Sequence, residues 1–164
     1  MRSLIIVTIL LCGFFILNCK KHNDEVAIHC NNLVDDILPE DDKALIEVAS
    51  AFTPNRDGLN DSFRPYVFNM KSASIKVYDV KSNLLFQTDQ LNREWYPDKG
   101  VDKYEKFYYR IEGITLKNNK IGKCGEVYAL SCYPPGMEKK FSFEDMLQST
   151  GFTGTTRENL TTCY

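Results

Sequence analysis

The stretch that decides the fold is Ala51-Phe52-Thr53-Pro54-Asn55-Arg56-Asp57-Gly58-Leu59-Asn60-Asp61-Ser62-Phe63-Arg64-Pro65. Aromatic residues flank a core of short polar side chains, which reads as strand, tight loop, strand. Gly58 can take a sharp positive-φ turn at no steric cost. The oxygens around it have two uses. In one, Asn55, Asp57 and Asp61 accept from nearby backbone N–H groups and lock the loop. In the other they are calcium ligands on alternate residues, with the carbonyl of Leu59 adding one more. Thr53 then stands where an acidic first ligand belongs, and Arg64 where a closing bidentate Glu belongs. Both uses stay open at this level.

Outward from this loop the texture is that of short β-strands separated by turn residues. The candidates are 45–52, 63–68, 74–80, 84–88, 107–116 and 125–133. Tyr, Phe and β-branched residues fill them, as a half-buried pleated surface prefers. Lys81-Ser82-Asn83 and Lys117-Asn118-Asn119-Lys120 read as tight connections. Six or seven such strands without strong helical periodicity predict an all-β protein, a β-sandwich. After Pro134-Pro135-Gly136, Ser142 with Asp145 three positions later predicts a capped short helix over 143–148, ended by Gly151. The Thr-rich remainder reads as loose until Cys163.

The chain opens with Arg2 and an uncharged run, 4–17, of about 14 residues, the length of a signal-peptide core. As a helix it spans roughly 21 Å, short of a bilayer core of about 30 Å. The run stops on Cys19 and polar residues follow at once, which resembles a lipoprotein signal with Cys19 acylated. The organisation expected is a signal peptide, 1–18, a polar tether, 19–43, a β-sandwich, 44–133, and a C-terminal tail, 134–164. The run Glu40-Asp41-Asp42 reads as solvated linker. Without Arg2, the exported chain carries 19 Lys and Arg against 22 Asp and Glu. It has no basic stripe, which argues against a nucleic-acid partner.

Four cysteines remain after Cys12 and Cys19: Cys30, Cys124, Cys132 and Cys163. In an exported chain they suggest two disulfides. The rival is a zinc site, but no pair has Cys-x-x-Cys spacing and only His22 and His29 could add imidazole.

Phe52, Thr53, Pro54, Asn55, Asp57, Gly58, Asn60, Asp61 and Phe63 stand in register with the opening motif of the gliding-motility-associated C-terminal domain. This is the type B sorting domain of the type IX secretion system. Residues 74–88 resemble that family's central hairpin, Trp95 and Asp98 its Trp and Asp-Gly, 107–110 its late aromatic strand, and 122–130 its closing strand. The resemblance spans roughly 44–133. It implies an immunoglobulin-like β-sandwich of about seven strands, at the cell surface. In such a sandwich the first and last strands can run side by side in parallel. The segment entering the first, with Cys30, then lies near the start of the last, where Cys124 sits. Cys124 and Cys132 lie eight residues apart on one predicted strand, roughly 26 Å when extended, beyond the reach of a disulfide. The pairing implied is Cys30–Cys124 and Cys132–Cys163.

The residues give little ground for catalysis. Both histidines lie in the expected tether, and no Gly-x-Ser-x-Gly, His-Glu-x-x-His or glycine-rich phosphate loop is present. The expectation is a non-enzymatic lipoprotein of the outer membrane, periplasmic or surface-exposed. It makes contacts with envelope or secretion-machinery proteins and carries no cofactor other than the calcium considered for Asn55, Asp57, Leu59 and Asp61. The alternative is a carbohydrate-binding or adhesion module whose partner is a surface glycan, carried by Trp95, Tyr96 and the aromatics of 104–109. Exposed aromatics would favour it, buried ones would not; Trp95, Phe107 and Tyr109 read most simply as core.

Overall fold

The structure, a computed structural model, describes residues 29–164. The signal peptide, Cys19, His22 and the tether up to residue 28 lie outside the described residues. Among the described residues nine strands form: β1 (Leu45–Glu47), β2 (Ala51–Phe52), β3 (Tyr66–Phe68), β4 (Met70–Tyr78), β5 (Leu84–Thr88), β6 (Tyr104–Thr115), β7 (Lys120–Leu130), β8 (Leu147–Gln148) and β9 (Gly151–Phe152). Among the described residues no helix is long and apolar enough to cross a membrane.

The main sheet has the order β2-β7-β6-β4-β5, and β1 pairs β3 in a second, two-stranded sheet. The pairings are antiparallel except β2 with β7, which is parallel. The predicted strand 45–52 is therefore two strands in different sheets, the chain crossing from one layer to the other at 48–50. The predicted strand 63–68 is shorter for a related reason. Pro65 cannot donate to a ladder, and Phe63 instead exchanges backbone bonds with Trp95, at 2.9 and 3.1 Å.

Alternation places Phe107, Tyr109 and Ile111 of β6 and Val127 and Ala129 of β7 between the layers. They meet Ile46, Phe52, Phe63, Trp95 and the inward residues of β4. Met70 and Ala73 both point inward although three positions apart. The register shift between Met70 and Ser72 absorbs the extra residue.

The outer face of the main sheet is also covered. Tyr108 is fully buried there, with His29 stacked on it at 5.0 Å and 20° and also 4.5 Å from Tyr78. The expected tether is therefore docked on the sheet at His29 and Asp42, while most residues between them stay exposed. Arg110 donates to the carbonyls of His29, Asn31 and Asn32, and Asp36 exchanges bonds with the Lys120 backbone. Leu33 lies so close to β7 that a Cβ at Gly122 would sit 2.8 Å from it. Asp42, expected in solvent, is 6% exposed. It accepts from Thr115 at 2.6 Å and Asn119 at 2.7 Å, bonds that hold its carboxyl below the usual range and brace the β6–β7 turn.

The tail covers the rest of that face. Phe141 and Phe143 pack with Ala51, Leu130 and Tyr133, joined by Met137, Met146 and Leu160. The expected loose tail is thus ordered, because it carries the apolar residues that the outer sides of β2 and β7 need. The expected helix over 143–148 does not form. Only Glu144–Met146 form a 3-10 turn, entered from an extended Phe143, and Leu147–Gln148 pair as a strand with β9. The helical geometry ends at Leu147, whose extended backbone (φ −71°, ψ 128°) carries the chain into β8.

Two disulfides fasten these coverings, Cys30 to Cys124 and Cys132 to Cys163. The second closes a loop with a sequence separation of 31, a constraint that contributes about 3–4 kcal/mol in the chain-entropy model.

Burial pushes the His29 imidazole below its ordinary 6.5, an effect Asp79 partly offsets. The unfolded chain thus binds the proton more readily than the folded one. Stability held through neutral His29 is present above about pH 6.5 and is lost as pH falls below it. Urea midpoints at pH 7.5 and 5.5 should show a drop in the wild type that shrinks in His29→Phe. An equal drop in both would remove His29 from the account.

Candidate functional site

The motif loop sits at the end of the sandwich where β2 leaves the main sheet. Thr53 is fully buried; its N–H donates to the Asn60 carbonyl at 2.8 Å and closes the loop. Within it, the Asp61 carboxylate accepts from the N–H groups of Arg56 (2.5 Å) and Gly58 (2.8 Å). Asp57 accepts from the Leu59 N–H (2.9 Å) and the Asn55 amide (3.0 Å), and Asn55 Oδ1 accepts from the Asp57 N–H (3.0 Å). The Leu59 carbonyl lies 3.2 Å from the Thr53 hydroxyl oxygen. Gly58 has φ +90°, and Arg56 and Asn60 also take positive φ.

The structure therefore brings Asn55, Asp57, Leu59 and Asp61 together in one loop, and each side-chain oxygen of Asn55, Asp57 and Asp61 meets a local N–H donor. This is the loop-locking use of the motif, and as arranged the donor set does not fit an ion. Among the described residues no group of three His, Cys, Asp or Glu is placed to hold a metal. Trp95 is 7% exposed, edge-on to Phe107 at 4.9 Å. Beside it, Glu94 accepts from Tyr96 (2.6 Å) and Ser62 (2.8 Å), which holds its carboxyl below the usual range.

A second set of residues meets the motif from the tail. Glu158 Oε1 accepts from the Thr53 hydroxyl at 2.5 Å and from the Asn60 amide at 3.1 Å. Asp145 accepts from the same amide at 3.2 Å, and its own N–H donates to Asn60 Oδ1 at 2.9 Å. Arg64 binds Glu144 through Nε at 2.9 Å. Tyr133 lies alongside: burial first, then the charges of Glu158 and Asp145, push its phenol up. Asn60, Asp145 and Glu158 escaped sequence reasoning as a group, since Asn60 lies 85 residues from Asp145 and 98 from Glu158. The available signal was Thr53, a polar residue between Phe52 and Pro54 whose hydroxyl needs a buried partner.

Gly58→Ala should cost about 1 kcal/mol or more in urea unfolding, because alanine is strained at φ +90°. Asp61→Ala should cost roughly 0.5–1.5 kcal/mol through the two N–H bonds it accepts. Calcium should leave the melting temperature of the wild type unchanged; a rise that Asp61→Ala abolishes would reinstate the ion.

The family model described as the CHU_C Type IX secretion signal domain matches residues 46–128, just over half of the 164 residues. No curated protein and no solved structure matches the chain. The match runs from β1 to within two residues of the end of β7 and includes the whole motif loop, while the tail carboxylates lie beyond it. The chain belongs to the CHU_C type IX secretion signal domain family.

Proposed function

We propose that this chain is a non-catalytic, lipid-anchored protein of the cell envelope whose sandwich works through protein contacts linked to type IX secretion. The observation that carries this reading is the family match over the sandwich. The apolar run ending on Cys19 supports the anchor. The lack of a catalytic role is supported by what the reactive side chains are doing. His29 packs against the rings of Tyr78 and Tyr108 with Nε2 at Ser82 Oγ, and the motif carboxylates bind backbone N–H groups.

One observation favours carbohydrate binding as a second reading. Tyr66 and Phe68 are both about half exposed and, two apart on β3, share a strand face. With Leu45, Leu147, Gln148 and Ser149 they line an open groove of about 400 Å³. Aromatic faces with a neighbouring amide suit a neutral sugar. Of the aromatics first considered for that role, Trp95, Phe107, Tyr108 and Tyr109 are buried, while Tyr96 and Tyr104 are about half exposed.

Cys19→Ala should move the protein from the membrane fraction to the soluble fraction or leave uncleaved precursor, and should abolish labelling by a fatty acid. In cells with inactive type IX secretion, protease accessibility of the wild-type domain at the surface should fall at least several-fold. Unchanged accessibility would break the link to that pathway. Retention of the wild type on insoluble polysaccharide, lost in Tyr66→Ala, would move the assignment to the second reading.

A further inference from the structure

The last residues of the tail lie in the fold as a bound peptide would. From 155 to 162 the side chains alternate, with Thr156, Glu158, Leu160 and Thr162 half-buried and Thr155, Arg157, Asn159 and Thr161 exposed. This period of two is that of an extended segment with one side docked. Its backbone meets the domain through a parallel bridge to Tyr133. The Tyr133 N–H donates to the Thr161 carbonyl at 2.8 Å, and the Cys163 N–H donates to the Tyr133 carbonyl at 2.9 Å. Glu158 is the polar anchor, received by Thr53 and Asn60. Leu160 is the apolar anchor, packed against the cluster that includes Tyr133 and Phe141. Main-chain bonds for affinity and alternate side chains in pockets for choice are the pattern of peptide recognition by strand addition.

The two sides of this contact differ in origin. Thr53 and Asn60 belong to the matched family region, whereas Glu158 and Leu160 lie beyond it. We propose that Thr53, Asn60 and Tyr133 form a binding site for an extended peptide of the pattern Glu-x-Leu-x-Thr, and that residues 156–162 fill it as a tethered ligand. The Cys132–Cys163 bridge holds that ligand at high effective concentration and keeps the site closed to peptides in trans. The pattern explains the acceptor geometry. Thr53 can donate its hydroxyl and Asn60 its amide, so the site asks for a carboxylate, and an aliphatic side chain two residues on reaches the apolar cluster. This inference rests on the reading of the domain as a contact module, but its test uses one peptide in solution and does not depend on any envelope partner.

The test uses the full chain with the tail ligand weakened by Glu158→Ala and Leu160→Ala and untethered by Cys132→Ser and Cys163→Ser. A fluorescent peptide of residues 154–162 is titrated in and followed by anisotropy. This variant should bind the peptide at least tenfold more tightly than wild type does. The same peptide with Glu158→Gln should bind at least tenfold more weakly, and Thr53→Val in the variant should lower affinity for the acidic peptide. A folded variant that binds no peptide, or binds both peptides equally, overturns the proposal. A second measurement serves if the variant does not fold. In the wild-type background, Glu158→Gln should speed hydrogen exchange at the Cys163 amide at least tenfold and leave the Thr53 amide unchanged. Unchanged exchange at Cys163, or equal acceleration at both amides, would mean that the tail is a fixed part of the sandwich.

Discussion

Burying both faces of β6 and β7 is the constraint on which the rest of this structure depends. The inner faces meet Ile46, Phe52, Phe63 and Trp95. The outer faces carry Tyr108 and Leu130, both fully buried, yet no third sheet stacks on them. Leaving such side chains in water would forfeit roughly 1.5–3 kcal/mol apiece. The chain before β1 and the chain after β7 supply the missing layer, the first over Tyr78 and Tyr108, the second over Ala51, Tyr128 and Leu130. Irregular segments hold a surface less firmly than a sheet does, and each is fastened by a disulfide at β7 or just past its end.

That arrangement explains what could be read from the sequence. Alternation in 74–80, 107–116 and 125–133 announces strands with one buried face, and β4, β6 and β7 overlap those segments, each starting three to five residues earlier. Burial of the second face leaves no such mark. Tyr108 breaks no rule of alternation by being buried, because an outward tyrosine looks the same whether water or His29 lies on it. His29 and Asp42 looked like tether because their neighbours Asn31, Asn32, Glu40 and Asp41 are polar and exposed. One stacked ring and one carboxylate bonded by Thr115 and Asn119 were enough to bring them inside. The tail has the same character. Phe141, Phe143 and Leu160 are too sparse to give a period, and their partners lie far away in the chain.

The motif was legible as a loop and ambiguous as chemistry, for a definite reason. Asn and Asp at alternate positions around a glycine serve equally as ligands for a cation and as acceptors for N–H groups. Sequence alone does not say which way the backbone N–H groups point. Positive φ at Arg56, Gly58 and Asn60 turns them toward the carboxylates. The loop thereby becomes a self-contained unit whose oxygens face inward, and its remaining polar capacity lies at Thr53 and Asn60, on the side facing the tail.

This division of labour separates the part of the chain that makes it a family member from the part that shapes its behaviour. The family match ends two residues before the end of β7. The tail's contacts with the motif, from Glu144 on Arg64 to Glu158 on Thr53, come from a segment the match does not include. A buried hydroxyl or amide left without a partner costs about 1–3 kcal/mol. Thr53 and Asn60 therefore favour whatever carboxylate reaches them. In this chain Asp145 and Glu158 reach them first because they are covalently close, and the ring of Tyr133 closes the site beside them. The same three residues that make the end of the sandwich stable thus fix what chemistry can dock there: an extended segment that presents a carboxylate, with an aliphatic side chain following.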